Sequence, residues 1–423
     1  MQSHIIRTAP NCADDREPRL LTVHQAREKI LSSLPALQGE ERVALRSTLN
    51  QVLARDVISP IDVPGHDNSA MDGYALDGSQ LPEDAHVDLE VVATLPAGGR
   101  FDGTCGPGQC VHIMTGAPMP AGTDTVVMQE HVLMMEDGRV RIGSGNRRGQ
   151  NVRSTGEDIA ANSAVLHAGK RLTPADLGIL ASIGIGEVFV RRRVRVAFFS
   201  TGDELRGIGE TLGEGEVYDS NRYSLHGMLR RLDADTLDLG VVRDEPEALR
   251  EVFQTAGQLA DVVITSGGVS VGEADYTKPI LEELGEMRFW KIAMKPGRPL
   301  AYGKLGNALF FGLPGNPVAV MVTFCQFVLP ALQQLASGTR WKPFILDAVC
   351  TSPLHKRPGR FEFLRGILSQ QDDGSFVVES VGQQGSGILT SMSRGNCFIL
   401  LNEEQADVKP GDTVRVQPFA TLF

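Results

Sequence analysis

The stretch DVVITSGGVSVGEADYTKP, residues 261–279, is the most informative part of the sequence. Its first half is a run of apolar and β-branched residues typical of a buried strand, and a glycine-rich turn follows before a helical pattern. Backbone N–H groups at such a turn can bind an anion. Glu273 and Asp275 follow the turn, and their carboxylates would repel an anion unless a cation lies between them. The stretch therefore predicts a metal-dependent site for a phosphorylated ligand.

Strand and helix patterns alternate on both sides of this stretch, from about Arg193 to Ser337. The apolar runs VRVAFFS, TLDLGVV, DVVITS and LFFGLPG predict strands, and the segments between them have helical length and periodicity. Continuous apolar strands that alternate with helices indicate a doubly wound, mainly parallel sheet. Ligands bind such sheets at the carboxyl ends of the strands.

The rest of the chain predicts further domains around this sheet. Helical patterns occur on both sides of a strand-rich middle block, and one of them is GEERVALRSTLNQVLA at residues 39–54. Short strand patterns bounded by Gly and Pro predict that the middle block is mostly β and that a further β domain lies at the C-terminal end. The predicted limits are 1–19 for a flexible tail, 20–58 with 163–193 for a discontinuous helical domain, 59–162 for an inserted β module, 194–342 for the α/β domain and 343–423 for the C-terminal β domain.

Composition narrows the class of protein. The formal net charge of −11 argues against a nucleic-acid binder, which needs a broad basic face. The six cysteines form no CxxC pair and have no His at zinc-finger spacing, so we expect a reduced, cytoplasmic protein without structural zinc. No uninterrupted apolar run reaches the roughly 18 residues that cross a membrane, and the first nineteen residues lack the apolar core of a secretory signal.

Acidic or glycine-rich turns follow three of the predicted strands. Taken singly, each is an ordinary turn, and Asp203 or Glu204 could instead cap a helix. Because the carboxyl ends of parallel strands meet at one edge, Glu204, Asp244 and Asp275 are candidate oxygen ligands for a hard cation such as Mg²⁺. The candidate phosphate contacts in the third turn are Ser266, Gly267, Gly268 and Ser270.

Two rigid segments add candidate anion contacts. The segment WKIAMKPGRP places Lys291, Lys295 and Arg298 close together, and its apolar flanks and prolines favour ligand contact over a solvated charged face. The segment LPGNP, residues 313–317, precedes a long helical pattern, with Asn316 as the expected cap and Pro317 in the first turn. This helix N-terminus is either a simple helix start or an anion contact, and the sequence leaves both open.

Eight motifs, in this order, resemble the MoeA family of molybdopterin molybdenumtransferases. They are DNSAMDGYA, IMTGAP, GEDI, FSTGDEL, YDSNR, SGGVSVGEADY, KPGRP and GLPGNPV. The resemblance covers residues 20–423 and implies a homodimer with four domains per subunit, among them an α/β domain of molybdopterin-adenylyltransferase type and a C-terminal β-barrel. It implies insertion of molybdate into adenylylated molybdopterin with release of AMP, and it implies a divalent cation, usually Mg²⁺.

The resemblance also implies the residues of the site. Besides the three carboxylates above, it gives catalytic roles to Asp72, Thr115 and Asp158 in loops of the β module, which would reach the cleft of the partner subunit. The implied substrate-binding residues are Lys291, Lys295, Pro314, Pro317, Arg365 and Ser386. Two positions depart from the family pattern. Ala319 replaces a common Ser, and Arg298 in KPGRP replaces a Lys, which exchanges a compact ammonium group for a planar guanidinium group.

Other functions are compatible with parts of this sequence. A molybdopterin adenylyltransferase that consumes ATP is the main alternative, because the α/β domain resembles that fold, and a non-catalytic scaffold with the same domains is another. The additional domains favour molybdenum insertion, with a separate adenylyltransferase as the expected partner. A dinucleotide enzyme would need GxGxxG after the first strand, where this chain has STGDEL.

Overall fold

The computed structural model describes residues 20–268 and 276–422. Backbone contacts divide the chain into two units, one formed by Met1–Gly39 with Arg191–Phe423 and the other by Glu40–Val190. Helix α1 (Val23–Ser32) belongs to the first unit. It begins at Thr22, whose hydroxyl accepts a hydrogen bond from the Gln25 N–H while the Gln25 side chain accepts one from the Thr22 N–H. This capping box satisfies two backbone donors at the helix start.

The second unit consists mainly of short strands. Its strands are β1 (Glu40–Ala44), β2 (Val57–Ile58), β3 (Asn68–Ser69), β4 (Gly73–Leu76), β5 (His86–Leu95), β6 (Gln109–Ile113), β7 (Thr125–Met128), β8 (Val132–Met134), β9 (Val140–Gly143), β10 (Val152–Arg153), β11 (Ala164–Leu166) and β12 (Glu187–Arg191), and helix α2 (Pro174–Ser182) lies between β11 and β12. Strands β4 to β9 form a six-stranded sheet in the order β7-β4-β6-β5-β9-β8. The expectation of a mostly β composition across 59–162 agrees with these elements.

The predicted helix across residues 39–54 is wrong. Glu40–Ala44 is strand β1, which pairs with β12, and a single 3₁₀ turn follows at Leu45–Ser47. Four of the five β1 residues are exposed, and pairing with the distant strand β12 decides the conformation of this segment against its helical pattern. The two parts of the predicted helical domain therefore contain strands, and α1 packs in the core of the first unit.

The first unit contains the α/β domain. Its elements are β13 (Arg195–Thr201), β14 (Leu205–Arg206), β15 (Val217–Tyr218), α3 (Ser220–Arg231), β16 (Asp235–Val242), α4 (Pro246–Leu259), β17 (Val262–Ser266), α5 (Thr277–Leu284), β18 (Gly285–Lys291), β19 (Met294–Lys295), β20 (Pro299–Leu305), β21 (Ala308–Leu313), α6 (Pro317–Thr323) and α7 (Leu329–Ser337). The sheet order is β16-β13-β17-β21-β20-β18. Pairing is parallel from β16 to β21 and antiparallel at β20 and β18. The predicted mainly parallel sheet is confirmed, and the sequence analysis missed its antiparallel edge.

Both faces of this sheet are buried, which explains the unbroken apolar runs. Successive strand residues point to opposite faces, so Val196 and Phe198 lie in one core cluster while Ala197 and Phe199 lie in another. The strands of a doubly covered sheet need apolar residues at every position. The continuous composition of VRVAFFS thus reflects two separate cores.

The helix after β21 passes through the larger core. A π-helical turn (Phe324–Val328) joins α6 to α7 without a break. By length and composition Pro317–Ser337 could cross a bilayer, contrary to the expectation from the sequence. Polar residues such as Thr323 and Gln326 interrupt its apolar run. Of its most apolar 18-residue window, 83% is buried inside the protein, as is typical of a core helix. Cys325 in this helix is fully buried, as the sequence predicts.

The C-terminal part of the first unit is a closed β-barrel, as predicted. Its elements are β22 (Leu346–Cys350), β23 (Phe361–Gln370), β24 (Phe376–Ser380), α8 (Thr390–Arg394), β25 (Cys397–Leu401) and β26 (Thr413–Pro418). The order β23-β24-β22-β26-β25 closes through pairing of β23 with β25. Strand β19 adds to β23 in parallel, with Lys295 opposite Glu362, which fixes the basic segment of the α/β domain against the barrel.

Candidate functional site

A cleft of about 520 Å³ lies at the carboxyl edge of the α/β sheet. The residues that line it from the α/β domain are Thr201, Gly202, Glu204, Asp244, Gly267, Gly268, residues 294–299, residues 314–316 and Ala319, and those from the barrel part are Arg360, Gln384, Gly385 and Ser386. The structure thus brings together carboxylates, cations and glycine turns that are far apart in the sequence.

Strand register explains why these segments meet. Thr201 of β13 lies opposite Val242 of β16, and Ser200 lies opposite Ser266 of β17. Ser266 in turn lies opposite Leu313 of β21. Because four neighbouring parallel strands end at the same level, the loops that follow them start at one edge, where α/β sheets bind ligands.

The turn after β17 approaches β13 so closely that it needs glycine. Gly267 has φ +93°, and a Cβ there would lie 2.4 Å from the Thr201 carbonyl oxygen. Gly268 has φ +63°, and a Cβ there would lie 2.5 Å from the Thr277 Oγ1. Ser266 is buried and accepts a hydrogen bond of 2.8 Å from the Asn221 side chain. This bond fixes the residue that directly precedes the turn. Three residues singled out from this stretch lie outside the described residues: Ser270, Glu273 and Asp275.

Two of the three predicted metal ligands line the cleft. Glu204 is exposed and Asp244 is half-buried. The Asp244 N–H donates to the Asp203 carboxylate at 3.3 Å, and strand β14 begins directly after Glu204, so neither Asp203 nor Glu204 caps a helix. Among the described residues, no group of three or more His, Cys, Asp or Glu side chains is suited to a metal. Two carboxylates are a partial ligand set for a hard cation, which takes further oxygens from a substrate or a third residue.

Cations line the cleft as well. Lys295, Arg298 and Arg360 line it, and this group is called the basic wall, whereas Lys291, at the end of β18, does not line it. The Lys295 side chain is 51% exposed, and its Nζ lies 3.5 Å from the Glu362 Oε2. Gly297 lets this loop pack on the core helix, because a Cβ there would lie 2.5 Å from the Thr323 Cγ2. The loop is therefore held rigidly where its two basic side chains reach the cleft.

The start of α6 adds a third segment. Pro314 is buried and lines the cleft, while Pro317, in the first helical turn, does not. Asn316 occupies the cap position, but its side chain makes no capping hydrogen bond, contrary to expectation. The Val318 N–H donates to the Ser386 carbonyl oxygen at 3.0 Å. The barrel loop therefore satisfies one of the N–H groups that a helix start leaves without an internal partner.

Arg365 is fully buried and is not among the residues that line the cleft. Its guanidinium donates to the Ser391 Oγ at 3.0 Å and to the carbonyl oxygens of Phe363 and Gly385. Burial lowers the pKa of Arg365 to about 10. In this arrangement Arg365 supports the loop that carries Ser386, and Ser386 itself reaches the cleft.

In the second unit, Asp72 and Thr115 form a direct pair. The Thr115 N–H and Oγ1 both donate to the Asp72 Oδ1, at 2.7 and 2.8 Å. The backbone donor, with the hydroxyl, lowers the pKa of Asp72 from its ordinary value. Asp67 and Thr155 repeat the arrangement, with distances of 2.7 and 2.8 Å, and the sequence analysis did not single them out.

Backbone pairing joins the loops that carry these residues. Ser69 donates to the Ala117 carbonyl oxygen and accepts from the Gly116 N–H, and on its other side it pairs with Val152 of β10. The loops with Asp72, Thr115 and Thr155 are thereby adjacent. Asp158 is exposed and its N–H donates to the Val63 carbonyl oxygen at 3.0 Å. Three motifs that propensity alone would classify as separate turns therefore form one polar region of this unit.

Arg360 and Gln384 line the cleft but were missed by the sequence analysis. Gln384 accepts from the Arg365 N–H at 2.8 Å and donates to the Arg365 carbonyl oxygen at 2.9 Å. Neither residue lies in a recognisable motif. Arg360 comes two residues before Glu362, and only the pairing of β19 with β23 places that strand end beside the cleft.

Three family models match successive parts of the chain. The model described as MoeA N-terminal region (domain I and II) matches residues 21–184. The model described as probable molybdopterin binding domain matches residues 197–334. The model described as MoeA C-terminal region (domain IV) matches residues 347–419. The middle match coincides with the α/β domain that carries most of the cleft.

Curated relatives resemble the chain over nearly its full length. The molybdopterin molybdenumtransferase of Haemophilus influenzae is 45% identical, and the alignment covers 96% of this chain and 100% of the relative. The enzyme of the same name from a Nostoc species is 37% identical, with 92% of this chain and 90% of the relative covered. A solved structure of the molybdopterin biosynthesis moeA protein from Pyrococcus horikoshii matches with a TM-score of 0.82 at 27% identity, and covers 95% of this chain and 100% of its own.

Proposed function

The chain belongs to the MoeA family and is a transferase that inserts molybdenum into molybdopterin, and on this basis we propose that it takes adenylylated molybdopterin and molybdate as substrates and releases AMP. The observation that carries the proposal is the cleft itself. It has a volume of about 520 Å³ and is lined by a glycine turn, two carboxylates and three cations. These charged residues are Glu204, Asp244, Lys295, Arg298 and Arg360. These are the groups needed to bind two anions side by side.

The cations supply the binding energy for the anions. Molybdate and the pyrophosphate linkage of the adenylate are both negatively charged, so they repel each other unless positive groups lie between or beside them. Lys295, Arg298 and Arg360 all line the cleft, and charge-assisted hydrogen bonds to oxyanions are the strongest that side chains make. We assign molybdate to this basic wall.

The glycine turn suits the phosphate groups. At Gly267 and Gly268 no side chain separates the backbone from the cleft, so an oxyanion can approach the main chain closely. Pro314 gives the adjoining surface a fixed shape, and Ser386 offers a hydroxyl from the barrel side. With phosphate at the turn and molybdate at the basic wall, the two reactants would be held next to each other, which removes much of the entropic barrier.

Mg²⁺ is the divalent cation we propose for the reaction. Glu204 and Asp244 would hold it, since both line the cleft and supply the oxygen ligands that this ion prefers. Asp275 stays the predicted third ligand and lies outside the described residues. When bound, such a cation would neutralise charge on the phosphoryl oxygens as AMP leaves.

We further propose a homodimer in which Asp72, Thr115 and Asp158 complete the cleft of the partner subunit. The support is that their loops form one polar region, joined through Ser69. A molybdopterin adenylyltransferase is the proposed partner, because its product would be the substrate, and the cytoplasm is the proposed location.

The test is a reaction with adenylylated molybdopterin, Mg²⁺ and molybdate in which AMP and protein-bound molybdenum are measured together. We expect both products to appear in equal amounts and only when molybdate is present. AMP release that does not depend on molybdate would contradict the proposed coupling. Consumption of ATP with free molybdopterin would favour an adenylyltransferase instead, and absence of both reactions would favour a scaffold.

A further inference from the structure

Glu362 is a buried carboxylate next to the basic wall. Its side chain is 7% exposed, and its Oε2 lies 3.5 Å from the Lys295 Nζ. The two residues are register partners in the parallel pairing of β19 with β23. Their proximity is therefore set by the backbone and does not depend on chance contact between flexible side chains.

A second buried lysine, Lys356, lies near enough to Glu362 for the two charges to interact. Lys356 is 4% exposed, and its Nζ donates to the Gln405 carbonyl oxygen at 2.9 Å. Burial lowers the pKa of Lys356, and Glu362 is the first of the charges that oppose this shift. A buried carboxylate is costly without a partner, and the ammonium groups of Lys295 and Lys356 provide compensation.

Lys295 is well suited to being held from one side only. An ammonium group has three donors, so a contact with Glu362 leaves two that can point into the cleft. A free lysine side chain loses rotamer entropy when it is fixed. A contact that fixes Lys295 before the substrate arrives removes part of this cost from the reaction.

From this geometry we infer that Glu362 is a positioning residue, which holds the Lys295 ammonium at the basic wall and acts on the reaction only through it. The inference rests on the proposed function of the cleft. Glu362 is not among the residues that line the cleft, so it has no contact of its own with the oxyanion. Its effect on turnover must therefore disappear when Lys295 is absent.

The test compares Glu362→Gln, Lys295→Met and the double variant in the full-length protein. The measured quantities are kcat for molybdenum insertion and the molybdate concentration at half-saturation. In Glu362→Gln the Lys295 ammonium is no longer held in place, and we expect kcat to fall about tenfold. For Glu362→Gln the half-saturation shifts less than about threefold, because the Lys295 cation itself is still present. The double variant has the kcat of Lys295→Met alone.

Two further variants keep the test decisive. Glu362→Asp retains the charge that compensates Lys356 but withdraws the oxygens from Lys295, so we expect an intermediate kcat in a protein that still folds. Glu403→Gln is the matched control, because Glu403 also opposes the pKa shift of Lys356 and does not line the cleft; its kcat equals that of the wild type.

Three results would overturn the inference: an unchanged kcat for folded Glu362→Gln or Glu362→Asp, losses that multiply in the double variant, or an equal loss in Glu403→Gln. Multiplying losses would mean that Glu362 acts on the structure and not through Lys295. A wild-type protein that transfers no molybdenum would instead refute the proposed function, which separates the two failures.

Discussion

Replacing Gly267 by Ala probes the turn on which the cleft depends. Gly267 has φ +93°, a conformation that L-residues rarely adopt, and the new Cβ would lie 2.4 Å from the Thr201 carbonyl oxygen. That oxygen belongs to the main chain of β13, which is paired with β16 on one side and β17 on the other, so it cannot move aside alone. The left-handed conformation costs about 1–2 kcal/mol and overpacking a further 1–3 kcal/mol or so. We expect a destabilisation of about 2–5 kcal/mol from the two effects together.

Tryptophan fluorescence during guanidinium unfolding measures this loss selectively. The chain has two tryptophans, Trp290 and Trp341, and both lie in the first unit. Trp290 is in β18, in the same sheet as the turn. The fluorescence transition therefore reports the unit that carries the cleft.

Gly315→Ala is the matched control for Gly267→Ala. Gly315 also lines the cleft, but its φ is unremarkable and a Cβ there meets no atom within 4 Å. We expect its free energy of unfolding to stay within about 0.5 kcal/mol of the wild type. Equal unfolding midpoints for the two variants would refute the reasoning about the turn.

The remaining predictions concern other parts of the site. Arg365→Met removes the guanidinium bonds to the Ser391 Oγ and to the carbonyl oxygens of Phe363 and Gly385, so we expect a loss of about 1–3 kcal/mol in thermal or chemical unfolding and a higher molybdate half-saturation. No change in either would contradict the supporting role. Thr115→Val removes the hydroxyl donor to Asp72, whose pKa is depressed in the folded state. The stability that Asp72 gains from this pair is present above its unfolded pKa of about 3.9 and is lost as pH falls through the lower folded pKa. The acid-unfolding midpoint of Thr115→Val, followed by circular dichroism, should therefore move to higher pH, and an unmoved midpoint would count against the pair. Asp275→Ala is expected to abolish AMP release in a folded protein, and normal turnover would remove Asp275 from the site. Lys295→Ala is expected to raise the molybdate half-saturation, which a molybdate titration measures directly.

The sequence could predict the α/β part because its signals are local and mutually consistent. Apolar runs such as VRVAFFS are unambiguous for strands buried on both faces, and the rule that ligands bind at carboxyl ends then places Glu204 and Asp244 together. The same reasoning failed for residues 39–54, where an amphipathic helical period was overridden by pairing of β1 with β12. Short amphipathic patterns do not contain the information about such distant partners.

Within the cleft, the residues that the sequence could not identify are those positioned by long-range pairing. Arg360 reaches the basic wall because β23 pairs with β19, and Gln384 reaches it through its bonds to the Arg365 backbone. Arg365 was expected at the cleft, yet it is fully buried behind the Ser386 loop. Motif resemblance indicates that such a residue matters, but only the structure distinguishes a residue that lines the cleft from one that supports it.

The cleft between the glycine turn and the basic wall is the proposed binding site of the molybdenum oxyanion. Crystals grown with molybdate and measured at the molybdenum absorption edge locate the metal directly through its anomalous scattering. We expect the strongest anomalous peak beside the side chains of Lys295 and Arg298, with the Lys295→Met protein losing it under the same conditions. A peak elsewhere on the molecule, retained when Lys295 is replaced, would contradict the claim.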